Sequence, residues 1–261
     1  MNPAPAQPLA FTIYARRAAM GAAAARRFQS WLEETLRARP TCRVMFGCAP
    51  SQDDFFAALR AEAAAAPAPW RRVEVFHMDD YVGLPEANPQ SFRAYLRRQF
   101  LDHVEVAQFH PIRGETEPPE REAARYAALL ARAPIDVVSL GIGENGHLAF
   151  NDPPVADPDD PVLAKVVELD AICRQQQVND GCFGTLAEVP RLAITVTLPV
   201  FAQAGRMCCI VPGARKAEAV RRTLTDPVGP ACPATLLRAH PMVQLFLDSD
   251  AAALLPADLR R

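Results

Sequence analysis

The stretch IDVVSLGIGENGHLAFNDPP, residues 135–154, decides how the rest of the chain is read. Its first half is a short β-branched apolar run, the pattern of a strand buried on both faces of a parallel sheet. Three glycines then open the backbone, and Glu144, Asn145, His147, Asn151 and Asp152 follow at once. Open α/β sheets place reactive groups in this way, at the point where a buried strand empties into a glycine turn. The glycines also match G-x-G-x-x-G formally, at Gly141, Gly143 and Gly146, with Glu168 or Asp170 spaced for a ribose contact. That fingerprint must open a crossover helix, and Pro153, Pro154, Pro158 and Pro161 leave no room for one. The dinucleotide reading fails on context.

Outward from this stretch, short apolar runs alternate with helical segments. Residues 11–14, 42–46, 72–78, 164–169, 191–197, 206–212 and 241–248 read as strands. Helices are expected at 18–37, where Phe28, Leu32 and Leu36 form one stripe, and after Ser51, which is read as its cap. Further helices are expected at 91–101, 120–132 and 214–224. The order predicts one α/β domain over 11–261, a mostly parallel Rossmann-like sheet with helices on both faces, preceded by a loose Pro- and Ala-rich segment at 1–10.

Composition bounds the function. With 261 residues, half of them hydrophobic, the chain can bury a sizeable core, and a net charge of −2 argues against a nucleic-acid or membrane surface as the main partner. The seven cysteines form no C-x-x-C pair, and Cys208 and Cys209 sit in an apolar run as small buried hydrophobes. A reducing, cytoplasmic compartment is expected. MNPAPAQPLA has no charged start followed by an apolar stretch, and no run approaches the roughly 18 apolar residues of a membrane span.

In a parallel sheet the strand ends share one edge, so distant residues converge there. One strand runs into Gly47 to Ser51, another into Asp79 and Asp80, the central one into His147 and Asp152, and a fourth into Pro212-Gly213 with Lys216 beyond. Asp152 is placed to fix the tautomer of His147 for acid/base work, whereas no second histidine stands at metal-ligand spacing. Asp79 and Asp80 cannot both point into one pocket from an extended backbone, so one serves as base while the other caps or pairs with an arginine. The helix starts at Ser51 and Lys216 are candidate anion sites, although Asp53 and Asp54 stand against the first. Lys216 is one of only two lysines, the other being Lys165.

HMDDYVGLPEANPQSF followed by GIGENGHLAFNDPP resembles the glucosamine-6-phosphate deaminase family, of the sugar-phosphate isomerase group that also contains 6-phosphogluconolactonase. The resemblance implies ring opening of an amino-sugar phosphate, proton transfer from C2 to C1, and release of ammonia, with no metal or organic cofactor. It makes Asp79 the base at C2 and His147 the group that assists ring opening, with Asn145 and Asp152 around it. It makes Lys216 a phosphate ligand and the turn of Gly47, Cys48, Ala49 and Ser51 the phosphate loop. Asp80 and Gly146 join the substrate-binding set, and Arg174 is the nearest candidate for an arginine contact to phosphate. The chain departs from the family pattern at Asn145, often aspartate, at Asp152, usually glutamate, in the turn GCAPSQ, and after Pro154. Family members range from monomers to larger assemblies, with a lean here to a homo-oligomer. A lactonase, an isomerase for another sugar phosphate, or a sugar-phosphate sensor without turnover remain as alternatives.

Overall fold

The protein, described over residues 9–260 by a computed structural model, opens with strand β1 (Ala10–Tyr14) and the long helix α1 (Arg17–Ala38). Next come β2 (Cys42–Phe46), buried at every position, and α2 (Asp53–Ala65). β3 (Val73–His77) passes through Met78 into β4 (Asp79–Tyr81). α3 (Phe92–Leu96), capped by the Ser91 side chain, runs through a π turn to β5 (Gln108–His110). α4 (Pro119–Leu130) returns the chain to β6 (Val137–Leu140), the start of the glycine turn. Beyond that turn follow β7 (Ala164–Glu168), α5 (Ala171–Asn179), β8 (Leu192–Val196) and α6 (Leu198–Ala202). β9 (Arg206–Val211), α7 (Ala217–Thr225) and β10 (Val243–Asp248) complete the chain.

Seven strands form one wholly parallel sheet in the order β1-β10-β9-β6-β2-β3-β5. The strands expected at 164–169 and 191–197 do not join it. They pair antiparallel with each other and with β4 in a small second sheet. The fold is therefore a single-domain α/β architecture with a mostly parallel sheet. Of the segment expected to be loose at 1–10, residues 1–8 lie outside the described residues, while Leu9 is buried and Ala10 begins β1.

Successive strand residues alternate between two core layers. Val44, Phe46, Val75 and Ile210 face α1, α2 and α3, while Met45, Phe76, Val138 and Val211 face α4, α6 and α7. Cys208 and Cys209, adjacent in sequence, enter opposite layers, and all seven cysteines are unpaired. On the first side Phe28 packs 5.2 Å from Phe46 and 5.6 Å from Phe55, centroid to centroid, and Trp70 donates its indole N–H to Gln29. Among the described residues no helix is long and apolar enough to cross a membrane.

Two local expectations change. Ser51 does not cap α2, because Pro50–Gln52 form a separate 3-10 turn and the helix starts after Gln52 with no side-chain cap. The polar run at 171–179, passed over in the sequence, is helical, with Asp170 accepting from the Ile172 N–H as its cap.

Phe28 is fully buried in the aromatic cluster between α1, β2 and α2. Phe28→Ala should therefore lower the unfolding free energy by about 3–5 kcal/mol, the cost of a large aromatic cavity. Urea unfolding followed by tryptophan fluorescence measures it.

Candidate active site

The carboxyl ends of β2, β3, β6 and β9 open into one cavity of about 450 Å³. Its lining comes from Gly47 to Gln52, Met78 and Asp79, Gly141 to Gly143 with His147, and Pro212 to Lys216. This is the strand-end crevice that parallel sheets offer to ligands.

Asp79 and Asp80 part company, as an extended backbone requires. The Asp80 carboxylate turns inward and accepts from the N–H groups of Tyr81, Phe92 and Arg93, with the buried Arg93 guanidinium 3.6 Å away. It does not reach the cavity, so Asp80 is corrected from a substrate contact to the pin that ties β4 to the start of α3. The Asp79 carboxylate lines the cavity and has no hydrogen-bond partner among the described residues. Burial first, and then the neighbouring Asp80, hold its carboxyl well above the usual range.

What fixes Asp79 is its backbone. His77, wholly buried, accepts from the Ile112 N–H at Nε2 (2.8 Å), so its proton sits on Nδ1, which donates to the Asp79 carbonyl at 2.9 Å. The Tyr126 hydroxyl brackets the His77 peptide, accepting from its N–H and donating to its carbonyl. Burial pushes the His77 imidazole down to about 3, so the ring stays neutral.

His147 stands on the other wall. Its ring lies so close over Gly143 that a Cβ there would meet ring atoms at 2.3 Å, which only glycine avoids. Nδ1 lies 2.8 Å from Asp152 Oδ1, off the ideal hydrogen-bond line. Burial works to raise the Asp152 carboxyl, but His147 first, then Asn145 and the Asp170 N–H, outweigh it and hold it below the usual range. An ionised partner at Nδ1 favours a proton there and leaves the Nε2 lone pair for the cavity. Asn145 bridges the assembly, donating to Asp152 Oδ1 at 2.9 Å and accepting from the His147 N–H at 3.0 Å. Asn145 and Asp152 thus lie behind the histidine and do not themselves line the cavity. Cys173 Sγ, His147 and Asp152 offer ligand atoms within 4.8 Å of one another. Burial first, and then the charges of Asp152 and Asp79, push the Cys173 thiol well up, so the sulfur stands as a neutral thiol beside the imidazole.

The cavity wall beyond β9 carries the cations Arg215 and Lys216. Lys165 is occupied by Asp160 and the Val155 carbonyl, but Lys216 makes no ion pair among the described residues. Lys216 is buried at the cavity wall, and burial lowers its ammonium from the ordinary lysine value against the pull of Asp180 and Glu144. The carboxylates that stood against an anion near Ser51 are both engaged. Asp53 accepts from the Tyr95 hydroxyl at 2.6 Å, and Asp54 pairs with Arg17. Gly47, Cys48, Ala49 and Ser51 all line the cavity as expected.

Two further expectations are corrected. Gly146, at φ +90°, packs its Cα against Cys232 and does not line the cavity, its role being to turn the chain. Arg174 points away and donates to the Leu186 and Val189 carbonyls. Instead Arg215, Arg17, Gln176, Gln177, Asp180 and Phe150 line the cavity, and of these only Arg215, beside Lys216, carried a signal in the sequence.

The buried neutral His77 makes stability pH-dependent with a definite sign. Its folded pKa lies below that of the unfolded chain, so the unfolded state takes up the proton first and stability falls as pH drops from about 6.5 towards 3. Relative to His77→Asn, which lacks this titration, the wild-type protein should lose up to about 1.4 kcal/mol per pH unit in that window. Urea unfolding of both at a series of pH values measures the difference.

Residues 15–245 match the family model described as glucosamine-6-phosphate isomerases/6-phosphogluconolactonase. A glucosamine-6-phosphate deaminase of Exiguobacterium sibiricum is 34% identical over 191 residues, 73% of this chain and 74% of the relative. One from Bacillus thuringiensis is 36% identical over 185 residues, 70% of this chain and 68% of the relative. In fold, the chain is similar to a monomeric glucosamine-6-phosphate deaminase (TM-score 0.87, 24% identity, 94% of this chain and 100% of the other). It is also similar to 6-phosphogluconolactonase of Trypanosoma brucei (TM-score 0.75, 20% identity, 95% and 99%). With the cavity at the carboxyl edge and the matched span covering nearly the whole chain, the protein belongs to the glucosamine-6-phosphate isomerase/6-phosphogluconolactonase family.

Proposed function

We propose that the protein is an enzyme that converts glucosamine 6-phosphate, or a close amino-sugar phosphate, to the ketose phosphate and ammonia. One observation carries this: the Asp79 carboxylate, without a hydrogen-bond partner among the described residues, and the His147 ring line the same cavity as Lys216, which makes no ion pair among the described residues. The relatives of similar sequence carry the deaminase name.

The chemistry follows from the groups present. His147 Nε2 takes the proton of the anomeric hydroxyl and delivers it to the ring oxygen, opening the ring to the aldehyde. The proton at C2 is now acidic, because the charge left behind spreads onto the adjacent carbonyl. Asp79 removes it while O1 gains the proton that the substrate's ammonium group gives up, and return of the C2 proton to C1 leaves an iminium at C2 that water hydrolyses to ketone and ammonia. A desolvated carboxylate is a stronger base than one in water, so the raised Asp79 pKa favours proton removal from carbon. Lys216 and the Gly47–Ser51 turn hold the phosphate. We place the reaction in the cytoplasm, in keeping with seven unpaired cysteines.

Asp79→Asn should lower turnover roughly 10²–10⁴-fold while glucosamine 6-phosphate still binds. Ammonia and ketose phosphate, followed together, should appear in equal amounts with the wild-type protein. Hydrolysis of 6-phosphogluconolactone with no ammonia would replace this function by a lactonase, and a thermal shift with no product would replace it by a sensor. The acid limb of kcat against pH should lie above the ordinary carboxylate range near pH 4, set by Asp79 in its deprotonated form. A limb at pH 4 or below would remove Asp79 as the base.

A further inference from the structure

Helix α5 presents two amides to the cavity, Gln176 and Gln177, each only 6% exposed. Gln176 is spent on the protein: its Oε1 accepts from the Glu144 N–H at 2.8 Å and its Nε2 lies 3.4 Å from Asp180. Gln177 is satisfied on one side only. Its Oε1 accepts from the Tyr81 hydroxyl at 2.8 Å, while its Nε2 has no acceptor among the described residues.

The direction of that amide is dictated by its surroundings. Tyr81 is wholly buried among Phe92, Phe150 and Phe183, and Gln177 is the partner of its hydroxyl. If the amide were reversed, Nε2 would donate to the phenol oxygen and the phenolic hydrogen would be left buried without an acceptor. Tyr81 therefore holds Oε1 and turns both Nε2 hydrogens to the cavity. A buried amide locked in this sense offers a donor and refuses a donor.

The same helix borders the cationic end. Arg215, next to Lys216, donates to the Asn179 carbonyl at the end of α5 at 2.7 Å, and the charge of Asp180 reaches the Lys216 ammonium. Arg174, the guanidinium that could have come from α5, is turned away onto carbonyls. We propose that Gln177 is a specificity-determining residue, its Nε2–H donating to a phosphoryl oxygen of the sugar phosphate beside Lys216, with Tyr81 fixing the polarity of the amide. This rests on the deaminase function proposed above. The lost bond to an anion should weaken binding about ten- to hundredfold.

The test compares Gln177→Met, Gln177→Glu and Tyr81→Phe with the wild-type protein, using glucosamine 6-phosphate as substrate and inorganic phosphate as competitor. Gln177→Met should raise KM about tenfold or more with kcat within about threefold, and raise the phosphate inhibition constant by the same factor. Gln177→Glu, which still accepts from Tyr81 but sets a carboxylate against the anion, should raise both further. Tyr81→Phe frees the amide to rotate and should give a smaller rise in both. KM and the phosphate constant within twofold of wild type in Gln177→Met would overturn the assignment. So would a raised KM with an unchanged phosphate constant, since the donor would then serve a sugar oxygen. Thermal unfolding of Gln177→Glu, near-isosteric with the native residue, guards against loss of folding. If the wild-type protein releases no ammonia, the deaminase function fails by itself. Calorimetric binding of inorganic phosphate to the same variants still decides Gln177, and wild-type protein that binds none would overturn the assignment.

Discussion

The Asp79 carboxylate is free because the residues on both sides of it carry the bonds that hold it. His77 grips the Asp79 carbonyl through a ring whose tautomer is set by the Ile112 N–H, and Asp80 anchors β4 to the start of α3 and to Arg93. Pairing of β4 with β8, Asp79 opposite Thr195, completes the clamp. A carboxylate that spent its own oxygens on holding itself in place would be stabilised as an anion and weakened as a base. Moving the restraint to the neighbouring residues separates position from reactivity.

His147 is held by a different device. Its ring rests against Gly143 and is backed by Asp152, which Asn145 and the Asp170 N–H hold in turn. Where the family pattern often has a carboxylate at position 145, this chain has an amide, and one carboxylate behind the ring is enough to set the tautomer. A second buried carboxylate there would raise the cost of ionising the first. The asparagine supplies a donor in its place and leaves Asp152 as the lone negative partner of the imidazole.

Charge is sorted along the cavity. Asp54 is matched by Arg17 and Asp53 by Tyr95, which leaves the loop after β2 without a free negative group facing the site. Lys216 stays unmatched, and the α5 amide adds a donor without adding charge. Asp79, at the start of β4 beyond β3, and Lys216, beyond β9, stand at the ends of strands separated in the sheet by β6 and β2.

The parallel α/β architecture was legible before any coordinates, because β-branched runs alternating with helical stretches leave few ways to bury both faces of a sheet. Asp79, His147 and Lys216 were legible as residues at strand ends, and the fold gathers all three on one cavity, with Asp152 behind the His147 ring. The sequence was silent on the second sheet: strands of three to five residues carry the same local pattern whether they pair parallel or antiparallel. That Asp80 turns inward, that Arg174 faces away and that Gln177 presents its N–H emerged from the folded chain alone. Those outcomes depend on partners 12 to 96 residues distant in sequence, Phe92, the carbonyls near Val189, and Tyr81. Local pattern fixes which residues reach a strand end or a helix face. Which way a polar side chain then turns is settled by the nearest buried group that must be satisfied, and only the folded chain brings that group near.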